Sequence, residues 1–279
     1  MNQVNLRPHS CPISGVTEAR MIFYYDAPPP GEIGFRRPAG EPYRREVWQF
    51  AISEHFVSRH VMTVATDYTG DYVNSTYGNR AGIEAAFERV IALPAARSDN
   101  AGRIKRIEQF AESRFGNRES ITLLDIGAGL GVFPYAVKKA GWRCTALDPD
   151  PRACEHIQTY VGVEAVCADF MKVENLGRYD IVTLNKVLEH VDDPISMLKR
   201  ARNFLLPGGF VYLEVPDGEM AMREGAEREE FFIEHLHVFS FASVTMLATR
   251  AGFVPLVIER LQEPSTKFTL RAILAASGN

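Results

Sequence analysis

The residues best placed to do chemistry in this 279-residue chain begin with an acid and three alternating glycines, Asp125-Ile126-Gly127-Ala128-Gly129-Leu130-Gly131. Leu123 and Leu124 enter the stretch and Val132 and Phe133 leave it. That reads as a buried strand, a turn that only glycine fits, and a helix N-terminus pointing at a ligand. Further along, carboxylates stand where strands should end: Asp148, followed by Pro149, and Asp169, followed by Phe170, with the amide of Asn185 closing the next strand. Open α/β sheets bind ligands outside the carboxyl ends of their strands. A third group, Glu234-His235-Leu236-His237, sets two imidazoles beside a carboxylate. Imidazole is the side chain suited to removing a hydroxyl or activated C–H proton near neutral pH.

Regular elements are needed to hold these residues. From position 121 the apolar pattern predicts strand 121–126, helix 132–140, strand 143–147, helix 151–160, strand 165–168, strand 180–184, helix 194–205 and strand 210–215, the last entered through Pro207-Gly208-Gly209. Such alternation implies right-handed crossovers and a mostly parallel sheet covered on both faces. Ser98-Asp99-Asn100 reads as a helix-start cluster and Ser240 as the N-cap of helix 241–251, closed by Gly252. Strands 253–261 and 267–275 are joined by a turn too short for anything but antiparallel pairing. Before position 95 the chain is rich in Pro, Gly and aromatics, with strand candidates at 21–25 and 47–50 and a helix at 82–93 ended by Pro94. The expected organisation is residues 1–95 as a small N-terminal subdomain, 96–279 as the main domain, and 217–239 as a polar lid insertion.

Composition narrows the function classes. With 46% hydrophobic residues and a net charge of −4 the chain can bury a sizeable core and shows no basic run suited to nucleic acid. No stretch approaches the roughly 20 apolar residues of a membrane helix. Residues 1–14 lack an apolar segment, so no signal peptide is expected. The four scattered cysteines, Cys11, Cys144, Cys154 and Cys167, read as reduced thiols of a cytoplasmic protein.

The glycine loop discriminates between cofactors. A dinucleotide fingerprint places its third glycine where this chain has Val132. Asp-x-Gly-x-Gly-x-Gly instead resembles motif I of the class I methyltransferases that use S-adenosylmethionine (SAM). The segments from Ser98 to the C-terminus, through Leu205-Leu206-Pro207-Gly208-Gly209 and the terminal hairpin, resemble that family in order. The resemblance implies an α/β, Rossmann-like sheet with an antiparallel last strand. It also implies a cofactor site: Asp125, Gly127, Gly129 and Gly131 around the methionyl end, Asp148 at the ribose, Pro149 at the adenine face, Asp169 and Phe170 at the adenine, and Asn185 near the methionyl group.

Glu-His-Leu-His-x-Phe-Ser is similar to a string in methyltransferases acting on sugars and related polar small molecules. It implies His235 as general base, Glu234 orienting it and His237 lining the pocket; the alternative is a pair of histidines closing a lid onto the core. Cys11-Pro12-Ile13-Ser14-Gly15 and the segment from Trp48 to Phe56 resemble the two halves of an N-terminal zinc knuckle in which Ser14, Phe50 and Ser53 replace cysteines. No metal is expected there, because zinc needs four soft or imidazole ligands and one thiol remains. Tyr72 and Tyr77, in a Gly- and Asp-rich loop, resemble tyrosines that close over cofactor or substrate, and packing at the domain junction is the alternative. The expected activity is methyl transfer from SAM to a polar small molecule such as a nucleotide-linked sugar. The alternatives are a quinone or natural-product O-methyltransferase and a non-catalytic SAM-binding protein.

Overall fold

The structure, a computed structural model, describes residues 6–32, 41–62, 80–116 and 120–278. Three antiparallel strands come first: β1 (Ala19–Tyr25), β2 (Arg45–Phe50) and β3 (Phe56–His60). Helices α1 (Arg80–Ile91) and α2 (Asp99–Phe115) follow, the second started by Ser98, whose hydroxyl accepts from the Ala101 amide. A cap of this kind contributes about 1 kcal/mol. Strand and helix then alternate through β4 (Thr122–Ile126), α3 (Val132–Lys139), β5 (Arg143–Asp148), α4 (Pro151–His156), β6 (Glu164–Cys167), β7 (Tyr179–Asn185), α5 (Pro194–Ala201) and β8 (Leu205–Pro216). The chain ends with α6 (Gly218–Glu224), the two-residue β9 (His237–Val238), α7 (Phe241–Arg250) and the hairpin β10 (Phe253–Gln262) and β11 (Phe268–Ala276).

Seven strands form the main sheet in the order β10-β11-β8-β7-β4-β5-β6. The run from β8 to β6 is parallel, and β11 is antiparallel to both of its neighbours. This is the Rossmann-like arrangement expected from the sequence. Adjacent residues serve opposite faces: Leu123, Ala146, Ile181 and Phe210 pack under α2, α3 and α4, while Leu124, Ile126, Val182 and Val211 pack under α5 and α7. Burial on both faces is why these strands read as nearly continuous apolar runs. The strand order reverses between β4 and β7, so a crevice opens at their carboxyl ends. Pro207-Gly208-Gly209 is not a turn ahead of a strand: β8 starts at Leu205 and breaks register with β7 between Tyr179 and Ile181. Beyond His156, α4 widens into a π turn over Ile157–Val161.

Strand pairing and burial join residues from both sides of the expected boundary at residue 95. Strand β9, inside the predicted lid, is the fourth strand of the N-terminal sheet, pairing Phe56 with Val238 and Val57 with His237. Ala221, Phe231 and Ile233 of the same insertion bury against Tyr25, Val47 and Phe56. Arg45, with no solvent exposure, fastens the join: it pairs with Glu32 at 3.2 Å, donates to the Phe231 carbonyl and lies 4.0 Å over the Tyr25 ring. Helix α1, grouped by sequence with the N-terminal residues, instead sets Phe87 against Tyr135, His156 and Tyr160 on the main domain. Charged neighbours at 223–230 masked the few apolar residues that decide where the insertion goes.

Candidate cofactor and methyl-transfer site

The glycine loop occupies the crevice between β4 and β7. Gly127, Gly129 and Gly131 all have positive φ. A Cβ at Gly127 would lie 2.7 Å from Val187, and one at Gly131 would lie 2.8 Å from Ile157, so these two let the loop pack on the protein. Gly129 has nothing within 4 Å and is the member left open to a ligand. Below the loop, Asp125 is buried and accepts from Thr183 Oγ1 at 2.7 Å and Asn185 Nδ2 at 2.9 Å. Burial pushes its carboxyl up to about 7 against those two hydrogen bonds. Asp125 therefore acts inside the protein, fixing the end of β7. Asn185 keeps its Oδ1 buried without a hydrogen-bond partner.

Asp148 closes β5 with its carboxylate beside the loop, Oδ2 accepting from Gly129 N at 2.8 Å and Oδ1 from Asp150 N at 2.9 Å. Each oxygen retains a lone pair for a further donor. Pro149 is exposed next to it. Asp169 is exposed, accepts from the Met171 amide at 2.9 Å, and pairs with Lys172. These hydrogen bonds, the Met171 amide first, hold its carboxyl below the usual range. Asp169 lines a cavity of about 410 Å³ with Met171, His190, Leu236 and neighbouring residues. Phe170, expected at the adenine, is buried in the core, its ring 5.5 Å from Phe204 and under the Arg200 guanidinium. Met171, 40% exposed, lines the cavity.

The histidine string meets the turn after β7. Leu236 N donates to Glu189 O at 2.8 Å, and His190 Nδ1 bonds Glu234 O at 2.9 Å. The His190 and His235 rings lie 4.9 Å apart. His235 Nδ1 bonds Glu230 O at 2.9 Å. A carbonyl has no proton to give, so that nitrogen carries the hydrogen and Nε2 keeps its lone pair. Burial, and then the charge of His190, hold the His235 imidazole well below its ordinary pKa. The main-chain oxygen of Glu234 serves His190, and burial raises its carboxyl. His237 does not line the cleft. It is buried in β9, with Nδ1 3.1 Å from His55 Nε2, and burial takes it down to about 4. One side-chain oxygen or nitrogen from each of Glu189, His190 and His235 lies within 4.8 Å of the other two. That spacing suits proton transfer and is also wide enough for a cation. Tyr72 and Tyr77 lie outside the described residues.

At this end of the sheet Lys186, Arg103, Glu214 and Tyr212 carried no sequence signal. Lys186 sits in the left-handed region (φ 59°) and donates from Nζ to Thr269 Oγ1 at 2.6 Å. Arg103 of α2 reaches Glu214 of β8 at 2.9 Å, and Tyr212 bonds the other carboxylate oxygen at 2.5 Å. The Lys186–Thr269 and Arg103–Glu214 contacts join residues more than 80 positions apart, and no local spacing announces them.

Residues 97–257, more than half the chain, match the family described as a methyltransferase domain. The chain belongs to that family. It is 31% identical over 110 residues to the ubiquinone biosynthesis O-methyltransferase of Leptothrix cholodnii, covering 37% of this chain and 47% of that one. A ubiquinone biosynthesis O-methyltransferase of Shewanella halifaxensis is 33% identical over 120 residues, covering 40% and 49%. The chain spans about half the length of the curated relatives it matches. In structure it is similar to magnesium protoporphyrin IX methyltransferase from Synechocystis PCC 6803, with a TM-score of 0.58 over 74% of this chain and 97% of that one at 15% identity. That likeness concerns the fold.

The methyltransferase cofactor is SAM, and the crevice fits it in three respects. Gly129 leaves room for close approach, the Asp148 carboxylate has lone pairs to spare, and the unmet Asn185 Oδ1 suits an ammonium donor. Among the described residues no helix is long and apolar enough to cross a membrane.

Proposed function

We propose that this methyltransferase transfers a methyl group from SAM to a hydroxyl of a polar small molecule, with His235 as the general base. The observation that carries the reading is the His235 ring, whose Nδ1 is committed to Glu230 O, so that Nε2 is a proton acceptor. SAM supplies an electrophilic methyl on a sulfonium. The chain's part is to bind it, align the acceptor and exclude water. In this reading Gly129 and Asn185 hold the methionyl end, and Asp148 accepts from the ribose hydroxyls. Asp169 and Pro149 flank the adenine, with Met171 where Phe170 was expected. The N-terminal sheet and residues 217–239 build the acceptor wall.

A nucleotide-linked sugar is the preferred acceptor on the strength of the Glu234–Ser240 string. The named relatives favour a second reading, a quinol or other phenolic hydroxyl. Both are tested by following S-adenosylhomocysteine release with dTDP-glucose, GDP-mannose, catechol and a prenylated hydroquinone. Turnover on one class selects the reading, and cofactor binding without turnover on any of them favours a non-catalytic SAM-binding protein.

The N-terminal cluster supports descent from a zinc knuckle that no longer holds metal. Cys11 Sγ lies 3.4 Å from Ser53 Oγ, Ser14 Oγ donates to Ser53 Oγ at 3.3 Å, and Phe50 is buried in the same core. Near-stoichiometric zinc in the purified protein would overturn this.

A further inference from the structure

Glu189 is a buried acid that the fold alone does not explain. Its side chain has no solvent exposure, and neither carboxylate oxygen has a hydrogen-bond partner. A buried polar group in that condition is costly and rare, and an apolar residue of similar size would remove the cost. Its position is nevertheless specific. The Glu189 carbonyl holds Leu236 N, and the carboxylate lies within 4.8 Å of a ring nitrogen of His235 and of His190. The other charged groups that act on this carboxylate are cations, Lys186 and Lys267. Burial raises its pKa, opposed first by His190 and then by Lys186.

We propose that Glu189 is the positioning carboxylate of His235. The inference rests on His235 being the base. In the step, the acceptor O–H bond breaks and an Nε2–H bond forms, while the acceptor oxygen takes the methyl and the S–CH3 bond breaks. The proton then leaves Nε2 to water. Glu189 faces the imidazolium that exists between those events, the role the sequence assigned to Glu234. Its lack of a partner in the resting structure follows, since the charge it complements forms only during the reaction.

Glu189→Gln, Glu189→Asp and His235→Ala test this with catechol and dTDP-glucose as acceptors. Glu189→Gln should lower kcat about tenfold to a hundredfold with acceptor KM and S-adenosylhomocysteine affinity within about twofold of wild type. Glu189→Asp should recover part of the loss. Because the carboxylate is retained at a cost to the fold, Glu189→Gln should also melt at or above the wild-type temperature. A lowered melting temperature would make Glu189 structural and overturn the inference. So would wild-type kcat in Glu189→Gln while His235→Ala is inactive, an outcome that leaves the base reading standing. If His235→Ala turns over normally, or the wild type methylates neither probe, the base reading fails and this inference fails with it. Activity lost to EDTA and restored by Mg2+ or Zn2+ would make Glu189 a metal ligand and equally overturn it.

Discussion

Leu236 donates its main-chain N–H to the carbonyl of Glu189 at 2.8 Å, joining the turn after β7 to the segment after β8. With the His190–Glu234 bond at 2.9 Å, this makes Leu188-Glu189-His190 and Glu234-His235-Leu236 one unit over the carboxyl ends of the parallel strands. His235 is thereby fixed relative to the glycine-loop crevice.

His190→Ala removes the second of these bonds. The expected result is a kcat/KM lowered about tenfold, since a misplaced catalytic group is costly. S-adenosylhomocysteine affinity should stay near wild type. Steady-state kinetics with titration calorimetry separates the two effects.

Asp148→Ala should act on the cofactor. Two hydrogen bonds to a charged acceptor are lost, so S-adenosylhomocysteine affinity should fall about a hundredfold in calorimetry. Far-ultraviolet circular dichroism should be unchanged.

The loop glycines should separate packing from ligand approach. Gly131→Ala brings a Cβ to 2.8 Å from Ile157 at positive φ, so it should destabilise the fold. Gly129→Ala meets nothing within 4 Å and should lose cofactor affinity with a smaller change in melting temperature. Thermal melts with and without SAM check both.

Stability should respond to acid through Glu214. Burial raises this carboxyl, but the charge and hydrogen bond of Arg103, with Lys186 and the Tyr212 hydroxyl, together hold it down to about 2, from an ordinary value of 4.5. A depressed folded-state pKa contributes stability above about pH 4.5 that is lost as pH falls toward 2, on the order of 3 kcal/mol. Asp125 has the opposite sign. Its carboxyl is raised to about 7, so its contribution is full below about pH 4 and falls as pH rises through 7. Urea unfolding of the wild type and Glu214→Gln from pH 2 to 8 should show a steeper acid limb in the wild type.

Legibility in the sequence followed the range of the interactions. The strands around Leu123, Leu147 and Val182, the helix start at Ser98-Asp99-Asn100 and the cap at Ser240 were readable because apolar runs, glycines and capping hydroxyls act within a few residues. The terminal hairpin was readable because its loop is short. Phe170 was misplaced because the residue after a strand end can turn either into the core or into the cleft, and contact with Phe204, 34 positions away, settles it. Glu189 went unnoticed because it lies 46 positions before His235, and only the fold brings its carboxylate within 4.8 Å of that ring. Strand β9 has two residues and pairs with β3 across some 180 positions, so no periodicity reveals it.

The most direct test is single-turnover methyl transfer by His235→Ala, with S-adenosylhomocysteine binding measured on the same preparation. Retained binding with transfer slowed by about a hundredfold or more is expected of a lost general base. Transfer at the wild-type rate would contradict the account.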